Sequence, residues 1–213
     1  MIHSTPLQEY LSKKIYISEL DFLLEILPGF NGTPLTTPHK AWIAGGSLFK
    51  MVVEKPIADS DIDIFFNSTS AYIEFYDEFK KLNEELIVDT YKTRVNETFV
   101  IKTNMTEYKI QLVSSGSFET VEELLSGFDF TAIQLATDGE TFYYGENTFN
   151  DLKTKTLKIN KISYVVPSMM RAIKYLNRGM ELNAQTVESI ITFEGARMNA
   201  SKRDDEIIGD YVE

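Results

Sequence analysis

Two aspartates flank an isoleucine in the run Asp61-Ile62-Asp63-Ile64, thirteen residues after the stretch Ala44-Gly45-Gly46-Ser47. In a strand, residues two apart project to the same face, so Asp61 and Asp63 present their carboxylates together while Ile62 and Ile64 enter the core on the other face. Two adjacent carboxylates repel, and a divalent cation relieves that repulsion. Mg²⁺ accepts one or two protein carboxylates and completes its octahedron with phosphate oxygens and water. Gly45 and Gly46 let backbone amides approach an anion closely, a helix starting there aims its positive end at a triphosphate, and the Ser47 hydroxyl adds a donor. Taken singly, each piece has a bland account: Gly-Gly-Ser as a loop, Asp-x-Asp as a solvated strand end. Taken together, they predict a phosphate and metal site.

The flanking sequence supplies elements to position these groups. Leu7 to Leu27 has helical spacing in two pieces, with Ser18 as cap of the second and Pro28-Gly29 as its stop. Residues 28 to 40 read as a connector or lid, with His39 as a surface residue ahead of a short apolar strand, Ala41 to Ala44. Gly45-Gly46-Ser47 turns into a helix at Leu48 to Val53. Ile62 to Phe66 marks a second strand, and Ser68, Thr69 or Ser70 caps a helix running to about Leu86. Asp59 keeps the two-residue spacing with Asp61, although Pro56 and Ser60 favour a loop there.

Three segments rich in β-formers follow, near Val88 to Arg94, Thr98 to Thr103 and Tyr108 to Val113, separated by Asn96-Glu97 and Asn104-Met105-Thr106. They predict an antiparallel meander that extends the sheet. After a helix at Thr120 to Ser126, Phe128 to Thr137 and Thr141 to Tyr144 read as a hairpin about Asp138-Gly139. Beyond Gly145 the pattern is mainly helical, with Pro167 to Met180 and Ala184 to Glu194 as helices and Gly195 as the final cap. Trp42, Tyr143 and Tyr144 are expected in the core.

The 213 residues are 43% hydrophobic and 25% charged, a composition that excludes a disordered or fibrous chain. With no cysteine and two histidines, thiolate metal sites and cysteine nucleophiles are excluded. No apolar run approaches membrane-spanning length, so the expectation is a soluble, cytoplasmic protein with no membrane partner. The formal charge of -11 argues against wrapping a long polyanion. The bases are unevenly spread, however. Leu152 to Arg178 carries seven Lys or Arg and no acid, while Asp204 to Glu213 carries five acids and no base and reads as a solvated tail. Arg171, Lys174 and Arg178 are spaced to share one helical face. That face either holds a triphosphate or nucleic-acid end, or is an ordinary solvated surface.

The glycine turn, the spacer and Asp61-x-Asp63 together resemble the DNA polymerase β-like nucleotidyltransferase superfamily. Later segments are similar, in the same order, to the head and neck of class II tRNA nucleotidyltransferases and bacterial poly(A) polymerases. These are Asp129-Phe130-Thr131, Phe149-Asn150-Asp151-Leu152-Lys153, and Pro167 with Arg171-Ala172-Ile173-Lys174. The chain departs from that pattern at Phe49-Lys50, where class II members carry an Arg-Asp pair, and at Lys109-Ile110-Gln111, where many superfamily strands carry a third acid.

The resemblance implies an α/β (α+β) head with a mixed sheet flanked by helices and a short C-terminal helical neck. The implied divisions are 1–40 for N-terminal helices and loop, 41–150 for the catalytic domain, 151–203 for the neck and 204–213 for the acidic tail. It further implies two Mg²⁺ ions on Asp61 and Asp63, the catalytic pair, and nucleotide contacts from Gly45, Gly46, Ser47, Asp129, Arg171 and Lys174. A nucleoside monophosphate would pass from an NTP such as ATP to an acceptor hydroxyl, foremost an RNA 3′ end, with pyrophosphate released. Two alternatives stand beside it: a protein or small-molecule hydroxyl as acceptor, and a non-catalytic nucleotide-binding regulator. Asp129 carries its own alternative, a strand-start aspartate bonded to local backbone.

Overall fold

The computed structural model describes residues 1–11, 17–30, 41–53, 55–57, 60–104 and 106–198. By compactness the chain forms two units, Met1–Leu125 with Leu135–Tyr144, and Ser126–Gln134 with the residues from Gly145 onward.

The first unit is built on a mixed sheet, eight-stranded among the described residues. Its strands in chain order are β1 (Ile2–Pro6), β2 (Ala41–Ala44), β3 (Ile62–Phe66), β4 (Ile87–Lys92), β5 (Asn96–Lys102), β6 (Glu107–Val113), β7 (Leu135–Thr137) and β8 (Thr141–Gly145). They lie in the spatial order β1-β8-β7-β2-β3-β6-β5-β4. β2 runs antiparallel to both β3 and β7, and β5 antiparallel to both β4 and β6, while β3 and β6 are parallel. The expected meander is therefore present and joins the sheet through β6.

Alternation along β3 decides which face is which. Ile62, Ile64 and Phe66 are buried, whereas Asp63 and Phe65 are half-buried on the opposite face. The helices of this unit are α1 (Leu7–Leu11), α2 (Ile17–Ile26), α3 (Gly46–Val52), α4 (Thr69–Leu82) and α5 (Val121–Ser126). α4 begins where the Ser68 Oγ accepts the Ala71 amide at 3.1 Å. Its Ala71, Phe75 and Phe79, four residues apart, are its buried stripe. Phe75 packs on Phe66 and Phe79 on Phe99, each pair with ring centroids 5.2 Å apart. The helix stops at Leu82, four residues before the expected Leu86. Buried Asn83 turns its amide back to the carbonyls of Phe79 and Ile26, both at 2.9 Å, and so ties α4 to α2.

Among the described residues the second unit contains a 3-10 turn at Thr131–Ile133, α6 (Thr148–Lys153), β9 (Thr156–Leu157), α7 (Val165–Leu176), β10 (Glu181–Leu182) and α8 (Ala184–Met198). β9 and β10 pair in parallel. Among the described residues no helix is long and apolar enough to cross a membrane.

Several local expectations change. Residues 2–6, to which the sequence assigned no element, form β1, and the His3 ring stacks on Tyr144 with centroids 5.6 Å apart. Ser18 falls inside α2. Asn96 and Glu97 are strand residues, because the turn is made by Thr93 to Val95, with the Thr93 Oγ1 bonding the Asn96 side chain at 2.9 Å. The strand expected at Phe128 to Thr137 survives only as β7, since the 3-10 turn diverts the chain after Phe130. α8 continues through Gly195 to Met198. His39, Asp59 and residues 204–213 lie outside the described residues.

Candidate nucleotide and metal site

In the first unit, strand register brings the glycine turn to the acid-bearing strand. Ala44 is the cross-strand partner of Asp63, and Ile43 of Ile64. The chain leaves β2 at Ala44 and turns at Gly45, whose φ of 80° and ψ of -123° lie in a region open to glycine and costly for any residue with a Cβ. The Gly45 amide donates to the Leu135 carbonyl at 3.0 Å and its carbonyl accepts from Phe49 at 2.9 Å. The helix therefore begins at Gly46, two residues before the expected Leu48. Because its amide is engaged by Leu135, Gly45 shapes the turn and does not offer that N–H to an anion.

Ser47 is the most informative of these. It is 1% exposed, and its Oγ has no hydrogen-bond partner. A buried hydroxyl without a partner is uncommon, because its desolvation goes uncompensated. A phosphate oxygen would satisfy it.

Asp61 immediately precedes β3, and Asp61 and Asp63 are both half-buried on one face. Among the described residues no hydrogen bond or ion pair engages Asp61. Two hard oxygen ligands side by side, one of them uncompensated, suit Mg²⁺. No third His, Asp or Glu joins them in a metal-holding group among the described residues. The register gives the reason: the β6 residue beside Asp63 is Gln111, and Asn96 donates to its side-chain oxygen at 3.3 Å. β6 does begin with an acid, the exposed Glu107, at the end of the strand beyond Lys109.

In the second unit, Asp129 is 5% exposed and its carboxylate accepts the Nε–H of Arg171. Its partner is thus a cation 42 residues away and not the local backbone. Arg171 and Lys174 lie on α7, with Lys174 exposed and without a carboxylate partner among the described residues. Arg178 does not share their helical face: α7 ends at Leu176, and the Arg178 guanidinium stands over the Tyr175 ring, 5.6 Å from its centroid.

Two residues of this unit carried no sequence-assigned role. Asp151 is fully buried, accepting from Thr131 Oγ1 at 2.6 Å and from Lys158 Nζ at 2.5 Å. It pins the 3-10 turn to the segment after α6. Its only sequence signal was membership of Phe149-Asn150-Asp151-Leu152-Lys153. Ser168, one helical turn before Arg171, is fully buried with an unpartnered Oγ.

Residues 15–155 match the profile of a family described as "Gabija anti-defense 2 family protein", Gad2. No curated protein matches the chain. Among solved structures, the chain is similar to the Thermotoga maritima CCA-adding enzyme complexed with tRNA, at 17% identity and a TM-score of 0.58, covering 88% of this chain and 44% of that one. It is also similar to a CCA-adding enzyme in complex with ATP, at 17% identity and a TM-score of 0.63, covering 93% and 47%. A third is the Bacillus stearothermophilus CCA-adding enzyme in complex with CTP, at 17% identity and a TM-score of 0.53, covering 79% and 42%. The chain spans less than half the length of these structures. At such identities the likeness establishes the nucleotidyltransferase fold, the mixed sheet with flanking helices expected from the motifs.

Proposed function

The chain belongs to the Gabija anti-defense 2 family, and from that premise we propose that it is a nucleotidyltransferase. It would transfer a nucleoside monophosphate from an NTP to an acceptor hydroxyl, foremost an RNA 3′ end, and release pyrophosphate. The observation that carries this reading is the register of Ala44 with Asp63, which starts the Gly45-Gly46-Ser47 turn beside the two carboxylates.

Asp61 and Asp63 would hold Mg²⁺, two ions by resemblance. Ions held there would lower the pKa of the acceptor hydroxyl and neutralise charge on the triphosphate and the leaving pyrophosphate. Gly45 fixes the turn, Gly46 keeps Cβ atoms away from the phosphates, and Ser47 donates its unpaired hydroxyl to them. Asp129 accepts from Arg171 in their ion pair and would orient it, and by the resemblance Arg171 and Lys174 would offer positive charge to a nucleotide. In this reading 41–150 supplies catalysis, 151–203 the neck and 204–213 an acidic tail.

A second acceptor is supported by the family's description, which names an anti-defence role, and by the formal charge of -11. There the nucleotide would go to a hydroxyl on a protein of the opposed defence. Incubating the full chain with each α-labelled NTP, Mg²⁺ and either total RNA or cell protein separates the two. Label on RNA 3′ ends supports the first acceptor and label on protein the second. NTP binding without label transfer or pyrophosphate release would instead support a non-catalytic regulator.

A further inference from the structure

The face of the sheet that carries Asp63 continues, strand by strand, to the sheet edge. Asp63 pairs with Gln111 on β6, Gln111 with Thr98 on β5, and Thr98 with Tyr91 on β4. Cross-strand partners project to the same side, so these four side chains form one row. The opposite face of the same strands is accounted for. Ile64, Leu112 and Phe99 are buried there, Phe99 against Phe79 of α4, and Glu97 accepts from Tyr76 of α4 at 3.0 Å.

Four side chains on the Asp63 face carry groups that no partner among the described residues accounts for. Thr98 is fully buried, yet its Oγ1 has no hydrogen bond. Gln111 has its oxygen engaged by Asn96, which turns its NH₂ donors away from Asn96, and no acceptor among the described residues takes them. Tyr91 is 41% exposed on the edge strand β4, and Lys109, two residues before Gln111 and therefore on the same face, is exposed with no carboxylate partner among the described residues. Strands lie about 4.8 Å apart, so Tyr91 is about 14 Å from Asp63, within the reach of the last few nucleotides of a strand whose 3′-hydroxyl is at the carboxylates.

We propose that this face of β6, β5 and β4 seats the 3′-terminal nucleotides of a single-stranded RNA acceptor. One base stacks on Tyr91, Gln111 donates to the terminal sugar or base, and Lys109 neutralises a phosphate. An aromatic platform beside a cation, with an amide between them and the carboxylates, is the equipment that single-stranded nucleic acid uses. The inference rests on the nucleotidyltransferase reading only for the direction in which the strand runs, its 3′ end towards Asp63.

The test is binding of a short fluorescein-labelled single-stranded RNA with a free 3′-hydroxyl to the full chain, by anisotropy, in EDTA and without NTP. Tyr91→Ala is expected to weaken binding about tenfold and Tyr91→Phe to restore it, since a phenyl ring stacks as well. Lys109→Ala is expected to reduce the magnitude of the salt slope by about 0.7, the share of one phosphate contact on a single strand. Thermal melts of both variants control for folding, and both positions are exposed. Unchanged binding in Tyr91→Ala and Lys109→Ala would overturn the proposal, as would absence of RNA binding by the unaltered chain or binding to protein acceptors alone. Since no step of the assay needs catalysis, loss of RNA binding in these variants together with no transfer from any NTP would reject the enzymatic reading and leave the RNA-binding face standing.

Discussion

Asp63 on β3 lies directly opposite Ala44, the residue that ends β2 and delivers the chain into Gly45. One antiparallel pairing therefore sets the carboxylates beside the start of the glycine turn, although they are separated by the long Leu48–Ser60 stretch in sequence. The site depends on that register, because a slip of one residue would move Asp61 and Asp63 to the buried face and Ile62 and Ile64 to the other.

The turn itself is open to test. At φ 80° and ψ -123°, Gly45 occupies a conformation that alanine adopts at a cost of about 1–3 kcal/mol. Gly45→Ala is expected to lose about that much stability in urea unfolding with an unchanged denaturant slope. An unchanged unfolding midpoint would mean that the turn relaxes without strain.

The ion pair of Asp129 with Arg171 gives a second test. Asp129 is 5% exposed, so Arg171→Ala strands a buried carboxylate; the arginine side chain is 38% exposed, which lowers the cost below that of a fully buried pair. The expected loss is about 2 kcal/mol for Arg171→Ala, and less when Asp129→Asn is combined with it. A double-mutant cycle measures the coupling. Strict additivity would show that the pair contributes nothing.

Tyr143 predicts a pH dependence. Burial first, and then the hydrogen bond donated to Asp138 at 2.7 Å, push its phenol up to about 12 from the ordinary 10. The folded protein keeps this proton through a range in which the unfolded chain releases it. The stability it contributes is complete below about pH 10 and is lost as pH rises towards 12. Tyr143→Phe should flatten the alkaline fall in stability relative to the unaltered chain and remove one late-titrating phenol from the ultraviolet difference spectrum. Coincident stability curves for the two proteins above pH 10 would contradict this.

What could be read from the sequence was what short-range physics controls. Alternation in Asp61 to Phe66 marked the strand and its two faces, and a run of hydroxyls, Ser68, Thr69 and Ser70, before apolar helical spacing marked the start of α4, which the structure places after Ser68. What could not be read were the pairings that close over distance. β1 is a short, mixed-polarity run that becomes a strand only because the sheet edge accepts it. Residues 126–134 carry a strand-like composition, but Thr131 bonds Asp151 and its amide bonds the Lys158 carbonyl, so tertiary contacts impose a 3-10 turn and group the segment with the second unit. Gln111 could be noted as a non-acid, but that it stands beside Asp63 follows only from the parallel register of β3 and β6. The helical-face spacing of Arg171, Lys174 and Arg178 was misleading at its last member, since a helix that ends at Leu176 cannot align the third base.

The central claim is that Asp61 and Asp63 carry nucleotidyl transfer. The most direct measurement compares the unaltered chain with Asp61→Ala and Asp63→Ala for Mg²⁺-dependent incorporation of α-labelled NTP into acceptor, with circular dichroism melts alongside. Both aspartates are half-buried, and neither contributes to the apolar face of β3. The account predicts that each variant folds and melts near the unaltered protein and loses transfer by at least about a thousandfold, the order expected when a group stabilising transition-state charge is removed. Undiminished transfer by either well-folded variant would contradict it.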